Sequence, residues 1–332
     1  MIAASSWRAA RPIGDETLAM KAIAPLAFLL LAVPVQAAKV ATPPVFTLRT
    51  SDNGNPYLPV MVKNATLNIR MALSFDQGLV LNEPAAARAG LKPFPLIGKG
   101  SFSNAMIPGG KATFRFNLPT VTPAGLPSKK VPAIWVSIPV AADADGILTI
   151  AALKADRVDV ILRETPAGSR DYVIAKKGSG ETGIKTRIGT EAVNLSLELN
   201  SPTTVMNARA GEALMAAGLA RRANSIGYWR PFPGVALPMQ GLTQKAGLTI
   251  AGLPMRQMSV RVSEADARRI DAAAKGTSSE SDDEDTITVS ADRKKKRGRD
   301  PWILIGRDVL DDCSRISFDR AGERWLLTCK FG

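Results

Sequence analysis

Histidine is absent from this 332-residue chain. Its absence excludes Ser-His-Asp and Cys-His catalysis, and it excludes histidine-based zinc sites. Cysteine is nearly absent too: only Cys313 and Cys329 occur. No Gly-rich loop opens a helix carrying Lys-Ser/Thr, so no phosphate cradle is expected. No aromatic residue is interleaved with the main basic run, Arg293-Lys294-Lys295-Lys296-Arg297-Gly298-Arg299, so nucleic acid is not an expected partner. The apolar run Ala22 to Val33 is short, and Pro25 and Pro34 break it, so it does not read as a membrane-spanning helix. No metal and no cofactor is expected. Carboxylate chemistry is the option that survives.

What is present starts with an export signal. Met20-Lys21 supplies a basic flank to the apolar run, and Val35-Gln36-Ala37 supplies the small residues that a signal peptidase reads. Residues 1–37 are expected to be a signal peptide cleaved after Ala37, with translation starting at Met20. The alternative is an uncleaved anchor. The expected location is periplasmic or secreted. Beyond residue 37 there remain 40 basic and 28 acidic side chains, a balance that favours acidic partners or an anionic envelope surface. Much of the charge lies in a polar insert, 275–300, where Glu280-Ser281-Asp282-Asp283-Glu284-Asp285 precedes the basic run. It reads as a solvated, disordered loop whose halves attract each other.

The rest of the chain is organised around Ala72 to Leu91. An apolar strand with Ile69, Met71, Leu73 and Phe75 on one face runs into a lone carboxylate, Asp76. A turn at Gln77-Gly78, a second apolar run at Leu79-Val80-Leu81 and a short Ala-rich helix follow, with Pro84 in its first turn and Gly90 at its end. The pattern returns in Ser196 to Asn207, which lies on Ala72 to Glu83 without a gap and sets Asn200 on Asp76 and Pro202 on Gly78. Each copy has a downstream half: Asp145 to Leu153 with Arg157 to Leu162, and Trp302 to Leu310 with Arg315 to Asp319. Cys313 and Cys329 flank a hairpin turning at Arg320-Ala321-Gly322, and antiparallel pairing centred on Ala321 sets them opposite each other. A disulfide is expected in an oxidising compartment, the alternative being two buried thiols.

These two halves together resemble the retropepsin-like aspartic peptidases in their single-chain, two-lobed arrangement. The resemblance rests on apolar-Asp-x-Gly at Phe75-Asp76-Gln77-Gly78 and on Ile305-Gly306-Arg307-Asp308-Val309-Leu310. It implies a mostly β fold of two β-barrel lobes related by internal duplication, with few short helices. Lobe one would span 38–165, a linker 166–185 and lobe two 186–332.

The resemblance also implies two carboxylates sharing one proton. Asp76 is the candidate acid–base group, and Asn200, the degenerate partner, cannot hold or pass that proton. Asp76 can equally be a turn or helix-cap carboxylate. Thr149 and Ala151 stand where lobe two keeps Gly306 and Asp308, and Gln77 stands where the family has Thr or Ser. Gly78, Gly109 and Gly110 are the expected substrate-side glycines, the last two within the family's flap region. In lobe two the matching stretch is Tyr228-Trp229-Arg230-Pro231-Phe232-Pro233-Gly234. The expected activity is aspartic-type cleavage of peptide or protein substrates if a second carboxylate is supplied, most simply by a homodimer. The alternative is a catalytically inactive peptide- or envelope-binding module.

Overall fold

Strict alternation makes the central strands. In Tyr57–Val62 the residues Leu58, Val60 and Val62 are buried while Pro59 and Met61 face solvent. The computed structural model describes residues 44–74, 78–103, 111–177, 182–275 and 300–332. Of these, 47% are strand and 13% helix, which makes the fold mostly β. The expected signal peptide, Phe75-Asp76-Gln77, Gly109, Gly110 and nearly all of the charged insert lie outside the described residues.

Lobe one contains β1 (Val45–Arg49), β2 (Tyr57–Val62), β3 (Ala65–Ala72), β4 (Leu79–Asn82), α1 (Glu83–Arg88), β5 (Lys99–Ser103), β6 (Lys111–Asn117), β7 (Thr120–Pro123), β8 (Lys129–Lys130), β9 (Ala133–Val136), β10 (Gly146–Thr149) and β11 (Arg157–Ile161). After β12 (Arg170–Ala175), lobe two contains β13 (Ile184–Ile188), β14 (Glu191–Leu197), β15 (Thr204–Met206), α2 (Ala208–Ala216), β16 (Ala220–Trp229) and β17 (Leu237–Gln244). It continues with a small hairpin of β18 (Thr249–Ile250) and β19 (Leu253–Pro254), then β20 (Met258–Arg261), α3 (Glu264–Ala274), β21 (Trp302–Ile305), α4 (Arg307–Leu310), β22 (Cys313–Asp319) and β23 (Arg324–Cys329).

Both lobes build the same ladder. In lobe one, β10 lies between β3, to which it runs parallel, and β4, to which it runs antiparallel. In lobe two, β21 lies in the same way between β14 and β15. The sheets are open: the nine-stranded sheet of lobe one ends on β5 and β8, and the seven-stranded sheet of lobe two ends on β13 and β16. The two barrels expected from the resemblance are therefore replaced by open mixed sheets, with no closed barrel among the described residues.

The ladder also corrects the alignment of the repeats. The hairpin pair Val62↔Ala65 matches Ile188↔Glu191, an offset of 126. The helix caps Asn82 and Asn207 are 125 apart, so one residue is missing from the lobe-two tip. Asn200 accordingly stands where lobe one has Ser74. Asp76 falls on Pro202 when counted from the strand and on Ser201 when counted from the helix. Downstream, Asn82 N donates to Asp145 O and Asn207 N to Trp302 O, an offset of 157 that keeps Thr149 opposite Gly306 and Ala151 opposite Asp308.

A third sheet joins the lobes in the order β1-β11-β22-β23-β12. Its centre is the antiparallel pair β11–β22, from Arg157↔Asp319 to Ile161↔Arg315. The stretch expected to be a linker contributes β12, which pairs with β23 from Arg170↔Cys329 to Ala175↔Arg324. One apolar cluster runs from Leu48 through Val160 and Leu195 to Phe318 and Trp325, so both lobes belong to a single unit with a shared core. Cys313 pairs with Cys329 across the β22–β23 hairpin, and the two are disulfide-bonded as expected.

Candidate functional site

The ends of the two equivalent strands meet. Beyond β3, Leu73 is buried and Ser74 turns toward lobe two. Beyond β14, Leu199 continues the inward face of Leu195 and Leu197 while Glu198 points the other way. Ser74 Oγ donates to Glu198 Oε2 at 2.9 Å. Asn200 N and Asn200 Nδ2 donate to Glu198 Oε1 at 3.0 and 2.8 Å. Glu198 is only 8% exposed. Burial raises its pKa above the usual carboxylate value, against the opposing pull of these three donors and of the Arg70 charge. Glu198 escaped sequence reasoning because it reads as an ordinary polar position in an alternating strand. Its signal was a lone acid inside Leu195-Ser196-Leu197-Glu198-Leu199.

A polar network surrounds this junction. Arg70, on β3, is 3.3 Å from Asp143, which also accepts hydrogen bonds from Tyr57 Oη and, at 3.1 Å, from Asn53 Nδ2. The Tyr57 pKa is raised, first by burial and then by its hydrogen bond to Asp143. Arg307, the arginine of the Gly306-Arg307-Asp308 motif, crosses back to lobe one. Its Nη1 donates to Asn53 O at 3.2 Å and its Nε to Asp311 at 3.0 Å. The guanidinium lies close against Gly54, where a Cβ would come within 2.2 Å of it, and the Gly54 φ of +76° favours glycine.

The lobe-two tip is tied down from behind. Thr204 Oγ1 donates to Asp308 Oδ1 at 3.0 Å, Gln257 N donates to Asp308 Oδ2 at 3.1 Å, and Gly306 N donates to Thr204 Oγ1 at 3.2 Å. Desolvation raises the Asp308 pKa despite these donors. At Gly306 a Cβ would lie 2.4 Å from Thr203 O, which is why glycine stands there. In lobe one, Thr149 Oγ1 instead accepts from Ala151 N at 3.3 Å and caps a short 3-10 turn, and Ala151 stands at the position of Asp308.

The expected site residues divide as follows. Gly78 has φ +80°, and a Cβ would meet Pro132 O at 2.7 Å, so packing against Val131–Pro132 demands glycine. Asp76, Gly109 and Gly110 lie outside the described residues. Asn200 is at the junction, where its side-chain amide donates to Glu198. Trp229 packs near Trp302, with ring centroids 6.1 Å apart, and Tyr228 is half-exposed beside it.

A groove of about 380 Å³ opens where the tip turns into Pro202–Thr203. Its lining includes Thr203, Ser225, Tyr228, Gln257 and Ser259 among the apolar Val205, Ile226, Trp229, Met239 and Met258, and no lining side chain is charged. It offers apolar walls and hydroxyl or amide hydrogen bonds, chemistry that suits an uncharged extended ligand. No group of three or more potential metal ligands occurs among the described residues. No protein-family model matches the chain, and no curated protein matches it significantly.

Proposed function

We propose that this chain is an exported aspartic-peptidase-like protein, two retropepsin-like lobes related by internal duplication, that binds extended peptides at the lobe junction. The observation that carries the reading is the Ser74–Glu198 hydrogen bond. It joins the ends of two strands that occupy equivalent places in the two ladders, next to an uncharged groove. Extended ligands gain affinity from main-chain hydrogen bonds and selectivity from side-chain pockets, and the groove offers apolar side chains with hydroxyl and amide groups among them.

Hydrolysis needs a second carboxyl group for Asp76-activated water. Glu198 is the candidate within the chain, because it is bonded to Ser74, two residues before Asp76, and its raised pKa suits the proton-holding partner. Asp76 of a second copy is the other candidate. A second reading, an inactive pseudo-peptidase acting as a periplasmic peptide- or envelope-binding module, is favoured by a separate observation. Both Glu198 oxygens already accept hydrogen bonds from Ser74 and Asn200 and are shielded from solvent.

One experiment separates these outcomes. A mixed peptide library is presented to the wild-type chain and to Asp76→Asn across acid and neutral pH, with cleavage and retention both measured. Cleavage that Asp76→Asn abolishes identifies an enzyme. Retention by both proteins without cleavage identifies a binding module. Neither cleavage nor retention at any pH overturns the peptide reading.

A further inference from the structure

Independently of the peptide reading, lobe one carries a rigid apolar projection. Between α1 and β5 the chain folds into a tight knuckle at Pro95-Leu96-Ile97. Phe94 N donates to Phe116 O at 3.0 Å, Phe116 N to Gly98 O at 2.8 Å, Gly98 N to Phe94 O at 3.0 Å and Ile97 N to Pro95 O at 2.8 Å. The Phe94 and Phe116 rings pack 5.6 Å apart beneath it. Gly98 closes the knuckle, since a Cβ there would lie 2.2 Å from Phe94 N. The outcome is unusual for an apolar side chain. Leu96 is fully exposed, at 103%, on a backbone with φ +66°, and Ile97 is 67% exposed beside it. A left-handed leucine costs roughly 1–2 kcal/mol. Here the cost is borne by a segment that projects its leucine into water.

Single exposed leucines are common, and by itself this one would mean little. Its electrostatic setting distinguishes it. From Pro84 to Ala142 the sequence contains no Asp or Glu but has Arg88, Lys92, Lys99, Lys111, Arg115, Lys129 and Lys130. Lys92 and Lys99 bracket the knuckle. Asn117 Nδ2 donates to Lys92 O, which seats the half-exposed Leu118 next to it. Lys130 pairs with Thr120 two residues beyond Leu118. In space Arg88 is paired with Asp145 and Arg115 with Glu83, so the lysines carry the charge of this stretch. Exposed aliphatic tips flanked by Lys92 and Lys99 match a surface that is apolar inside and anionic at its face.

We propose that the Pro95-Leu96-Ile97 knuckle docks this protein on an anionic lipid surface. Leu96 and Ile97 enter the acyl boundary, while Lys92, Lys99 and Lys130 meet the headgroup phosphates with their aliphatic stems laid along the interface.

The test is cosedimentation of the purified chain with vesicles of phosphatidylglycerol mixed with phosphatidylcholine, and with vesicles of phosphatidylcholine alone. The expected result is binding to the anionic vesicles that exceeds binding to the neutral ones and weakens with salt. The double variant Leu96→Ser with Ile97→Ser should lose about tenfold or more in affinity, from the apolar area left in water. Lys92→Ala with Lys99→Ala should lose about tenfold on anionic vesicles only. Thermal midpoints of all variants should match wild type because these side chains are exposed. Leu96→Trp should shift its emission to the blue on vesicle addition and be quenched by brominated lipid. The proposal is overturned if the serine variant binds as wild type does, if the tryptophan emission does not move, or if neutral vesicles bind equally well. It is also overturned if the chain ignores vesicles but is captured by polyglutamate, which would make an acidic protein the partner.

Discussion

Ser74 Oγ, at the end of a lobe-one strand, donates a 2.9 Å hydrogen bond to Glu198 Oε2, at the end of the matching strand in lobe two. The acceptor is a buried acid with a raised pKa. The junction therefore responds to pH in the direction opposite to an ordinary surface carboxylate. Between the unfolded carboxylate value and the raised folded value, the folded chain holds more protons than the unfolded one. The Glu198 contribution is most favourable below that window and is lost as pH rises through it.

Glu198→Gln removes the charge but keeps Oε1 for the Asn200 donors, and Ser74 can accept from its new amide. This variant should flatten the fall in stability with pH. Near pH 4 it should match wild type; at neutral pH it should exceed wild type by on the order of 1 kcal/mol. Urea midpoints at both pH values check this, and parallel pH profiles for the two proteins would rule out Glu198 as the responding group. Glu198→Ala leaves the donors of Ser74 and Asn200 without an acceptor and should cost about 1–3 kcal/mol at either pH.

The two hairpin turns offer a comparison built into the chain. Lys63 has φ +50° at the place where lobe two has Gly189 with φ +57°. Lys63→Gly should relieve left-handed strain while adding freedom to the unfolded chain, for a net gain of about 0.5 kcal/mol. Gly189→Ala should lose about 1 kcal/mol at the matching site. Thermal unfolding of the two single variants should therefore move in opposite directions.

Asp308 ties α4 to the lobe-two tip through Thr204 and Gln257. Asp308→Ala should cost about 2–3 kcal/mol, because two donors lose a partly buried acceptor. Asp308→Asn should recover part of that through its remaining carbonyl. Equal destabilisation in chemical denaturation would show that the charge, not acceptor geometry, holds the tip.

The Cys313–Cys329 bond closes a short loop, with a sequence separation of 16. Reduction, or replacement of both residues by serine, should cost about 3 kcal/mol. Melting with and without reductant measures it, and no shift in the midpoint would mean that pairing of β22 with β23 already fixes the hairpin.

Much of the fold was legible in local pattern. The alternation of Ile69, Met71 and Leu73 marked a core strand, and the symmetry about Ala321 placed Cys313 opposite Cys329. What was not legible depended on partners distant in sequence. Arg170–Ala175 looked like part of a linker because nothing nearby shows that it pairs with the final strand. The missing residue in the lobe-two tip was invisible in an ungapped comparison of small and apolar residues. It emerges only when strand registers fix both sides of the turn. The barrels came from family resemblance rather than from the residues, and among the described residues the ladders do not close. The role of Glu198 is not legible in the sequence, because a charge near a strand end is usually solvated. Here it is buried, with Ser74 reaching it from the other lobe.

The sheet that β11 and β22 hold in common has a further effect on how the chain must be made. Neither half holds the whole of this sheet, since β1 and β11 come from the first half and β22 and β23 from the second. During synthesis, the first half would wait with the outer edge of β11 open until β22 emerges. A chain interrupted at Gly168 should yield two pieces that are insoluble apart and recover a native-like body only when refolded together.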